Sequence, residues 1–255
     1  TPLALFSENH GRLYSFLHQI VAVVTNPPID PIREGEAMDT SVYIGESPKL
    51  RDQRKPSTMA QFKLPHPVLT NEAAAALVGQ THPELRAAVL DMSFDRGTSA
   101  KRMVWRLHAL ADEAVQAVRQ GATVLVVSDR RVADPSRLPL PAVFVVCHLN
   151  RRLTRKGLRR GVSIIVETGG AHESHDLAVL LAYGATAVNP YAMLQLARET
   201  RGLTPREATD SLVSGLVRGL RRIMSKMGIT SVAGYRGSVM FEAVGISPEV
   251  VDYYL

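Results

Sequence analysis

Apolar residues change their spacing along this chain, and each change marks a different kind of element. Leu13, Phe16, Leu17, Ile20 and Val24 recur three or four positions apart, which predicts a helix over residues 1–24. Thr25-Asn26-Pro27-Pro28-Ile29-Asp30-Pro31-Ile32-Arg33-Glu34 follows. Proline fixes φ and lacks an amide hydrogen, so this density of prolines predicts a stiff extended loop rather than a helix or central strand. From there to residue 85 the pattern has little regular period. Pro48, Pro56, Pro65, Pro67 and Pro83 punctuate it, and Arg51, Arg54 and Lys55 make its middle basic. The expectation is an irregular proline-rich arm.

After residue 85 continuous apolar runs alternate with amphipathic segments. The runs at 87–92, 122–129, 162–168, 185–189 and 229–233 read as strands buried on both faces. The segments at 99–120, 141–156, 171–183, 191–198 and 205–226 read as helices, with two short ones beginning near Gly237 and Ser247. Such alternation predicts an α/β fold with a mainly parallel sheet of about five strands, an open sheet or a degenerate barrel. Glycines 121, 161, 184 and 228 stand where helix C-caps with left-handed backbone are expected. The expected organisation is helix, loop and arm over 1–85 and a βα-repeat core over 86–255, together one unit.

Composition narrows the class. With 255 residues, 45% of them hydrophobic, wholesale disorder is excluded. The single Cys147 excludes an intrachain disulfide framework and any cysteine-only metal or iron–sulfur site, and points to a reducing compartment. No apolar run is long enough to span a membrane, and no signal-peptide pattern opens the chain, so a cytoplasmic location is expected. The start inside a helical pattern suggests a piece of something longer. Lys and Arg total 30 against 24 Asp and Glu, a net +6, which favours acidic partners without indicating one.

In parallel α/β architectures ligands bind at the carboxyl ends of strands. Those ends carry Asp91, Ser128-Asp129-Arg130, Glu167-Thr168-Gly169-Gly170, Asn189-Pro190 and Gly234-Tyr235-Arg236-Gly237. Asp129, Glu167 and Asn189 are therefore candidates for a pocket taking a phosphorylated or carboxylated small molecule, with the Gly169-Gly170 amides holding the anion. The competing reading is a set of tight turns and polar caps. His172-Glu173-Ser174-His175 approaches a zinc-helix pattern, but its histidines are three apart instead of four and the sequence marks no third ligand, with Glu167 and Asp176 as the nearby candidates. The run Arg151–Arg160 has six positive charges in ten residues, yet lacks aromatics for base stacking and closes a helix, where cations complement the dipole. Cys147 and His148 are adjacent on a helix and so point apart, a poor nucleophile–base geometry. No catalytic residue and no metal site emerges. A freestanding α/β enzyme and a basic nucleic-acid-binding module stay open as alternatives.

The loop at 25–34 resembles the signature that opens the central region of the large chain of glutamate synthase. Further stretches fall in that family's order: 121–130, 155–159, Val166-Glu167-Thr168-Gly169 with Ala187-Val188-Asn189-Pro190-Tyr191, 223–229 and Phe241-Glu242-Ala243-Val244-Gly245-Ile246. The resemblance implies a connector without catalysis of its own. It would lie between an amidotransferase domain that releases ammonia from glutamine and a flavin-binding domain that makes L-glutamate from that ammonia and 2-oxoglutarate. It would help form the ammonia tunnel. FMN and an iron–sulfur cluster belong to the full-length enzyme, with no cofactor expected in this piece. The implied partners are those two domains of the same polypeptide and a small electron-donating subunit, not nucleic acid or membrane. Thr25 and Asn26, with groups able to hydrogen-bond ammonia, and Arg33 and Glu34, as an anchoring ion pair, become the tunnel candidates; a purely structural loop packed on the sheet is the alternative.

Overall fold

The computed structural model describes residues 11–22, 24–47, 61–238 and 240–255. The first part of the expected N-terminal helix and the basic middle of the arm (Arg51, Arg54, Lys55, with Pro48 and Pro56) lie outside them. A 3₁₀ turn at Leu13–Phe16 leads to β1 (Leu17–Gln19), α1 (Pro31–Ala37), β2 (Val42–Ile44), β3 (Phe62–Leu64), α2 (Asn71–Gly79), β4 (Ala87–Asp91) and β5 (Ser93–Asp95). Then come α3 (Ala100–Arg119), β6 (Val124–Ser128), β7 (Arg137–Pro139), α4 (Ala142–Arg155), β8 (Ser163–Glu167), α5 (Ser174–Ala182) and β9 (Ala187–Asn189). The chain continues through α6 (Tyr191–Ala197), α7 (Pro205–Ser225), α8 (Val232–Tyr235), β10 (Phe241–Ala243) and α9 (Pro248–Tyr254). Among the described residues no helix is long and apolar enough to cross a membrane.

The organising element is the parallel sheet β4-β6-β8-β9, in which Val126 pairs with Val89 on one side and Ile165 on the other. Every residue of β6 is buried. Side chains alternate across a strand, so Leu125 and Val127 join one core with Leu110, Val143, Leu149 and Leu177 of the helices. Val124, Val126 and Ile165 face the other way and pack with Ile44, Leu69, Ala74 and Leu85. The arm, aperiodic in sequence, thus covers the second face of the sheet. A parallel sheet cannot leave a fully apolar face to water, so that side needs its own cover.

Among the described residues the parallel sheet has four strands, one fewer than the five apolar runs. The fifth run, 229–233, contributes only a single bridge between Ser231 and Asp39 and then turns into α8, with the Ser231 hydroxyl accepting from Gly234 N at 3.2 Å. The edge of β9 is already occupied by the arm: Val68 bridges Val188 in parallel, Leu69 N donates to Val188 O at 2.8 Å, and Val188 N donates to Pro67 O at 2.7 Å.

Three further expectations are corrected. The expected α-helix is not found over 13–19: a single 3₁₀ turn at Leu13–Phe16 gives way to β1, which pairs antiparallel with β10, Leu17 opposite Ala243, and Leu17 is fully buried. Tertiary pairing here outweighs the local spacing. A helix, α1, begins inside the proline loop, because Pro31 takes the first helical position, where no amide is needed, and the Asp30 carboxylate accepts from Ile32 N and Arg33 N at 3.0 and 2.9 Å. Gly161 does not cap α4. Gly157, with φ of 68°, does so four residues earlier, and Leu158 N returns to Leu153 O at 2.9 Å.

The last helix is held by an aromatic and imidazole contact. His148 Nε2 lies 3.0 Å from His108 Nδ1, His108 Nε2 lies 2.5 Å from the Tyr253 hydroxyl, and Tyr254 stacks on Phe144. Burial, then the nearby His108, Arg151, Arg152 and Arg155, push His148 down to about 4. The unfolded chain, with an ordinary histidine near 6.5, binds more protons between those two values, so this contribution is present above pH 6.5 and is lost as pH falls towards 4. Denaturation midpoints are therefore expected to fall between pH 7 and pH 5, and to fall less in His148→Gln. Equal slopes for the two proteins would show that this imidazole is not responsible.

Candidate functional site

Two places collect the predicted residues. The first is the carboxyl end of the sheet, where register fixes the neighbours: Asp91 opposite Ser128, Ser128 opposite Glu167, and Glu167 opposite Asn189. The structure brings Asp129, Glu167 and Asn189 together and satisfies their polar groups internally. Glu167 accepts from Arg130 Nε at 2.6 Å and from the Ser128 hydroxyl. The Arg130 guanidinium also reaches the Asn71 and Asn189 amide oxygens at 3.3 and 3.4 Å and lies over the Tyr191 ring at 4.3 Å. Asn189, fully buried, donates to Leu69 O at 2.9 Å and to Asn71 Oδ1 at 3.0 Å.

Asp129 sits where an external anion was expected. Its carboxylate accepts from the Thr168 hydroxyl at 2.6 Å and from Gly169 N at 3.1 Å, and Gly170 N is taken by the Thr168 hydroxyl at 3.0 Å. Burial raises the Asp129 carboxyl above its ordinary value, against hydrogen bonds from Thr168, Tyr191 and Gly169 that favour the charge. The two glycine amides that could have cradled a phosphate are therefore already engaged by the chain's own groups. A flavin phosphate does not fit there without displacing Asp129. Beside this network, burial opposes ionisation of Asp91, but hydrogen bonds from Ser93 and the Arg137 and Arg131 charges outweigh it and hold the carboxyl below its ordinary range.

Asn71 and Tyr191 are not among the site candidates read from sequence, Tyr191 standing there only as the end of a family-like stretch. Tyr191 directly follows the Asn189-Pro190 strand end, a local signal that could have found it. Asn71 lies 118 residues from Asn189, with nothing local to connect them.

The two histidines of that run are turned onto backbone oxygens and not onto each other. His172 Nε2 lies 3.1 Å from Gly169 O, His175 Nε2 lies 3.0 Å from Tyr14 O, and Glu173 and Asp176 both bind Arg12. Among the described residues there is no group of three or more His, Cys, Asp or Glu placed to hold a metal. The basic run is likewise partly engaged. Arg152 pairs with Asp112, and Arg159 donates to Asn150 Oδ1, Val162 O and Gly184 O at 2.6, 2.7 and 2.6 Å.

The second place is the proline loop, which is tied down at both ends and open between. On one side Gln19 of β1 donates to Ile223 O of α7 at 3.0 Å, and Val24 fills the space above Gly228. On the other side α1 lies against α7, where the buried Glu34 carboxylate accepts from the Ser225 hydroxyl at 3.5 Å. The loop therefore packs on α7 and not on the sheet. Arg33 pairs with Asp30 at 3.4 Å instead of with Glu34, since Glu34 points inward and Arg33 outward. Asn26 adopts φ of 51°, a left-handed conformation that its short polar side chain tolerates better than most residues. Thr25 and Asn26 are exposed, as are Ile29 (78%) and Ile32 (75%). Asn26, Pro27, Pro28, Ile29 and Arg33 border an open groove of about 690 Å³.

Comparison with known proteins follows the same extent. Residues 1–247 match the family described as the glutamate synthase central domain. The NADPH glutamate synthase large chain of Bacillus subtilis (strain 168) is 37% identical over 99% of this chain, which spans 16% of that protein. The chloroplastic ferredoxin-dependent glutamate synthase of Spinacia oleracea is 35% identical over 98% of the chain, again 16% of its length, and the NADH glutamate synthase of Schizosaccharomyces pombe is 34% identical, with 12% of its length spanned. Among solved structures, a flavocytochrome b2 mutant with pyruvate bound aligns with a TM-score of 0.45 at 19% identity, over 64% of this chain and 45% of that one.

Proposed function

The chain belongs to the glutamate synthase central-domain family, and we propose that it is the inter-domain connector of a glutamate synthase, with its proline loop forming part of the wall along which ammonia passes. In this reading an amidotransferase domain of the same polypeptide releases ammonia from glutamine. A flavin-binding domain, carrying FMN and an iron–sulfur cluster, uses that ammonia with 2-oxoglutarate to make L-glutamate, supplied with electrons through a small partner subunit. The connector performs no catalysis itself, and the enzyme works in the cytoplasm.

The observation that carries the reading is the loop's combination of fixed ends and an open middle. Both flanks are anchored on α7, yet the segment between them leaves Ile29 and Ile32 about three-quarters exposed beside Thr25 and Asn26. Exposed apolar side chains on a rigid, proline-set backbone are suited to cover by another domain. A hydroxyl and an amide at such a seam can hydrogen-bond neutral ammonia in passing, while the prolines keep the wall from collapsing. The strand-end network supports the non-catalytic half of the reading, because its carboxylates and glycine amides are spent on one another.

Replacing Thr25 by valine and Asn26 by alanine in the full-length enzyme tests the tunnel role. The expected result is a several-fold fall in glutamate formed per glutamine hydrolysed, with ammonia escaping to solvent and glutaminase turnover retained. An unchanged ratio would remove these two residues from the ammonia path.

A further inference from the structure

Arg236 was grouped in sequence with the carboxyl ends of strands. The structure puts it at the opposite end of the sheet, after α8, where its guanidinium donates to the Thr186 hydroxyl at 3.3 Å just ahead of β9. That is its one hydrogen bond among the described residues, although a guanidinium has five N–H donors. A second cation, Arg159, lies close by with its own donors committed to neutral acceptors, an amide oxygen and two backbone carbonyls. Neither arginine pairs with a carboxylate among the described residues, and both are partly withdrawn from water. Burial, and then the charge of Arg236, push Arg159 down to about 10, which is the mark of two cations sharing a poorly solvated corner.

The Arg236 side chain borders a cavity of about 180 Å³ whose other polar walls are Ser41, Tyr43, Ser47 and Gln61, with Val232 among the apolar ones. Among the described residues no acidic one lines it. Asp39, two residues before Ser41, is turned onto it, accepting from its amide at 2.8 Å and its hydroxyl at 2.9 Å, and Glu46, next to Ser47, borders a different groove with Arg86 and Arg160. Gln61 donates to Glu46 O at 2.8 Å, while the Ser47 and Tyr43 hydroxyls make no hydrogen bond among the described residues. Among the described residues the cavity therefore presents donors and a positive charge without a carboxylate. A withdrawn cation without a counter-charge is costly, and a planar guanidinium with free donors is shaped for two-point contact with an oxyanion. The volume is below the roughly 300–1,000 Å³ of ordinary small-molecule sites, so a nucleotide is too large.

We propose that this cavity is a binding site for one small free oxyanion of the phosphate or carboxylate class, held by the Arg236 guanidinium with the Ser47 and Tyr43 hydroxyls as further donors. The anion neutralises the Arg236–Arg159 pair and ties the arm, through Ser41 to Ser47, to α8. It lies at the end of the sheet away from the Asp129 network.

Crystals of the full-length protein that carries this chain, soaked in millimolar selenate, test the site directly. An anomalous peak within hydrogen-bonding distance of the Arg236 guanidinium is expected, absent in Arg236→Gln. Competing phosphate or acetate that erases the peak identifies which class is preferred. In solution, phosphate at constant ionic strength is expected to raise the wild-type denaturation midpoint and to leave Arg236→Gln unmoved. The proposal is overturned if the wild type shows no peak and no phosphate response, or if a carboxylate side chain of the same polypeptide already occupies Arg236.

Discussion

Arg12→Ala is expected to destabilise the protein by about 3 kcal/mol, the lower end of the range for removing one member of a buried ion pair. Asp176, in the first turn of α5, has no exposed surface. One of its carboxylate oxygens accepts from Arg12 at 2.5 Å and from His172 N at 2.7 Å; the other has no partner among the described residues. Without Arg12 the carboxylate would keep a single backbone donor in a site closed to water. Arg12 itself is about one-third exposed (34%), so part of its own charge is solvated, which places the loss at the lower end. The second bond of Arg12, to Glu173 at 2.7 Å, is exposed on the acidic side and adds little. Adding Asp176→Asn to Arg12→Ala is expected to recover part of the loss, because the stranded charge is then gone. Urea denaturation of the single and double variants decides it. A cost below about 1 kcal/mol for Arg12→Ala would mean that the buried carboxylate is satisfied without its arginine.

Two glycines of the same helix are expected to respond to alanine with opposite signs. In an open helix interior, glycine to alanine stabilises by roughly 0.5–1 kcal/mol, because the unfolded chain loses freedom. Gly215 of α7 has nothing within 4 Å of where a Cβ would stand, so Gly215→Ala should follow that rule. At Gly219 a Cβ would stand 2.1 Å from the Ser174 hydroxyl oxygen and 2.6 Å from Ser174 Cβ. Ser174 is the first residue of α5, and its hydroxyl donates to Leu216 O of α7 at 3.1 Å, so it cannot swing aside without giving up the bond that sets the crossing. Gly219→Ala should therefore push α5 from α7 and cost about 1–3 kcal/mol, as overpacked cores do. Thermal melts of the two variants against wild type check the signs. A Gly219→Ala protein as stable as Gly215→Ala would show that the two helices can separate freely at this point.

Both predictions rest on contacts that no stretch of sequence announces. Arg12 and Asp176 are 164 residues apart, and Ser174 and Leu216 are 42 apart. By contrast, the βα alternation was legible because each run from Ala87 to Asn189 bears its own pattern: buried parallel strands must be apolar on both faces, and helices must be apolar on one. The strand-end candidates Asp129, Glu167 and Asn189 were legible for the same reason, since parallel register brings the ends of neighbouring strands together. Their lack of spare hydrogen-bonding capacity was not, because Asn71, Thr168 and Tyr191 reach them only in three dimensions. The 229–233 run misled as a strand. Its composition suited one, but the edge it would have joined was taken by Pro67, Val68 and Leu69.

By itself the sequence determined the main strand–helix alternation from Ala87 to Asn189, and the start of α7 is likewise local, held by a capping box of Thr204 and Glu207 within four residues. The tertiary structure alone decided that the arm closes the second face of the sheet, that the N-terminal segment is a strand paired with β10, that Arg33 and Glu34 part company, and that Arg236 stands beside Arg159. These are matters of which distant segments compete for one edge, one face or one charge, and that competition is settled only when the whole chain has packed.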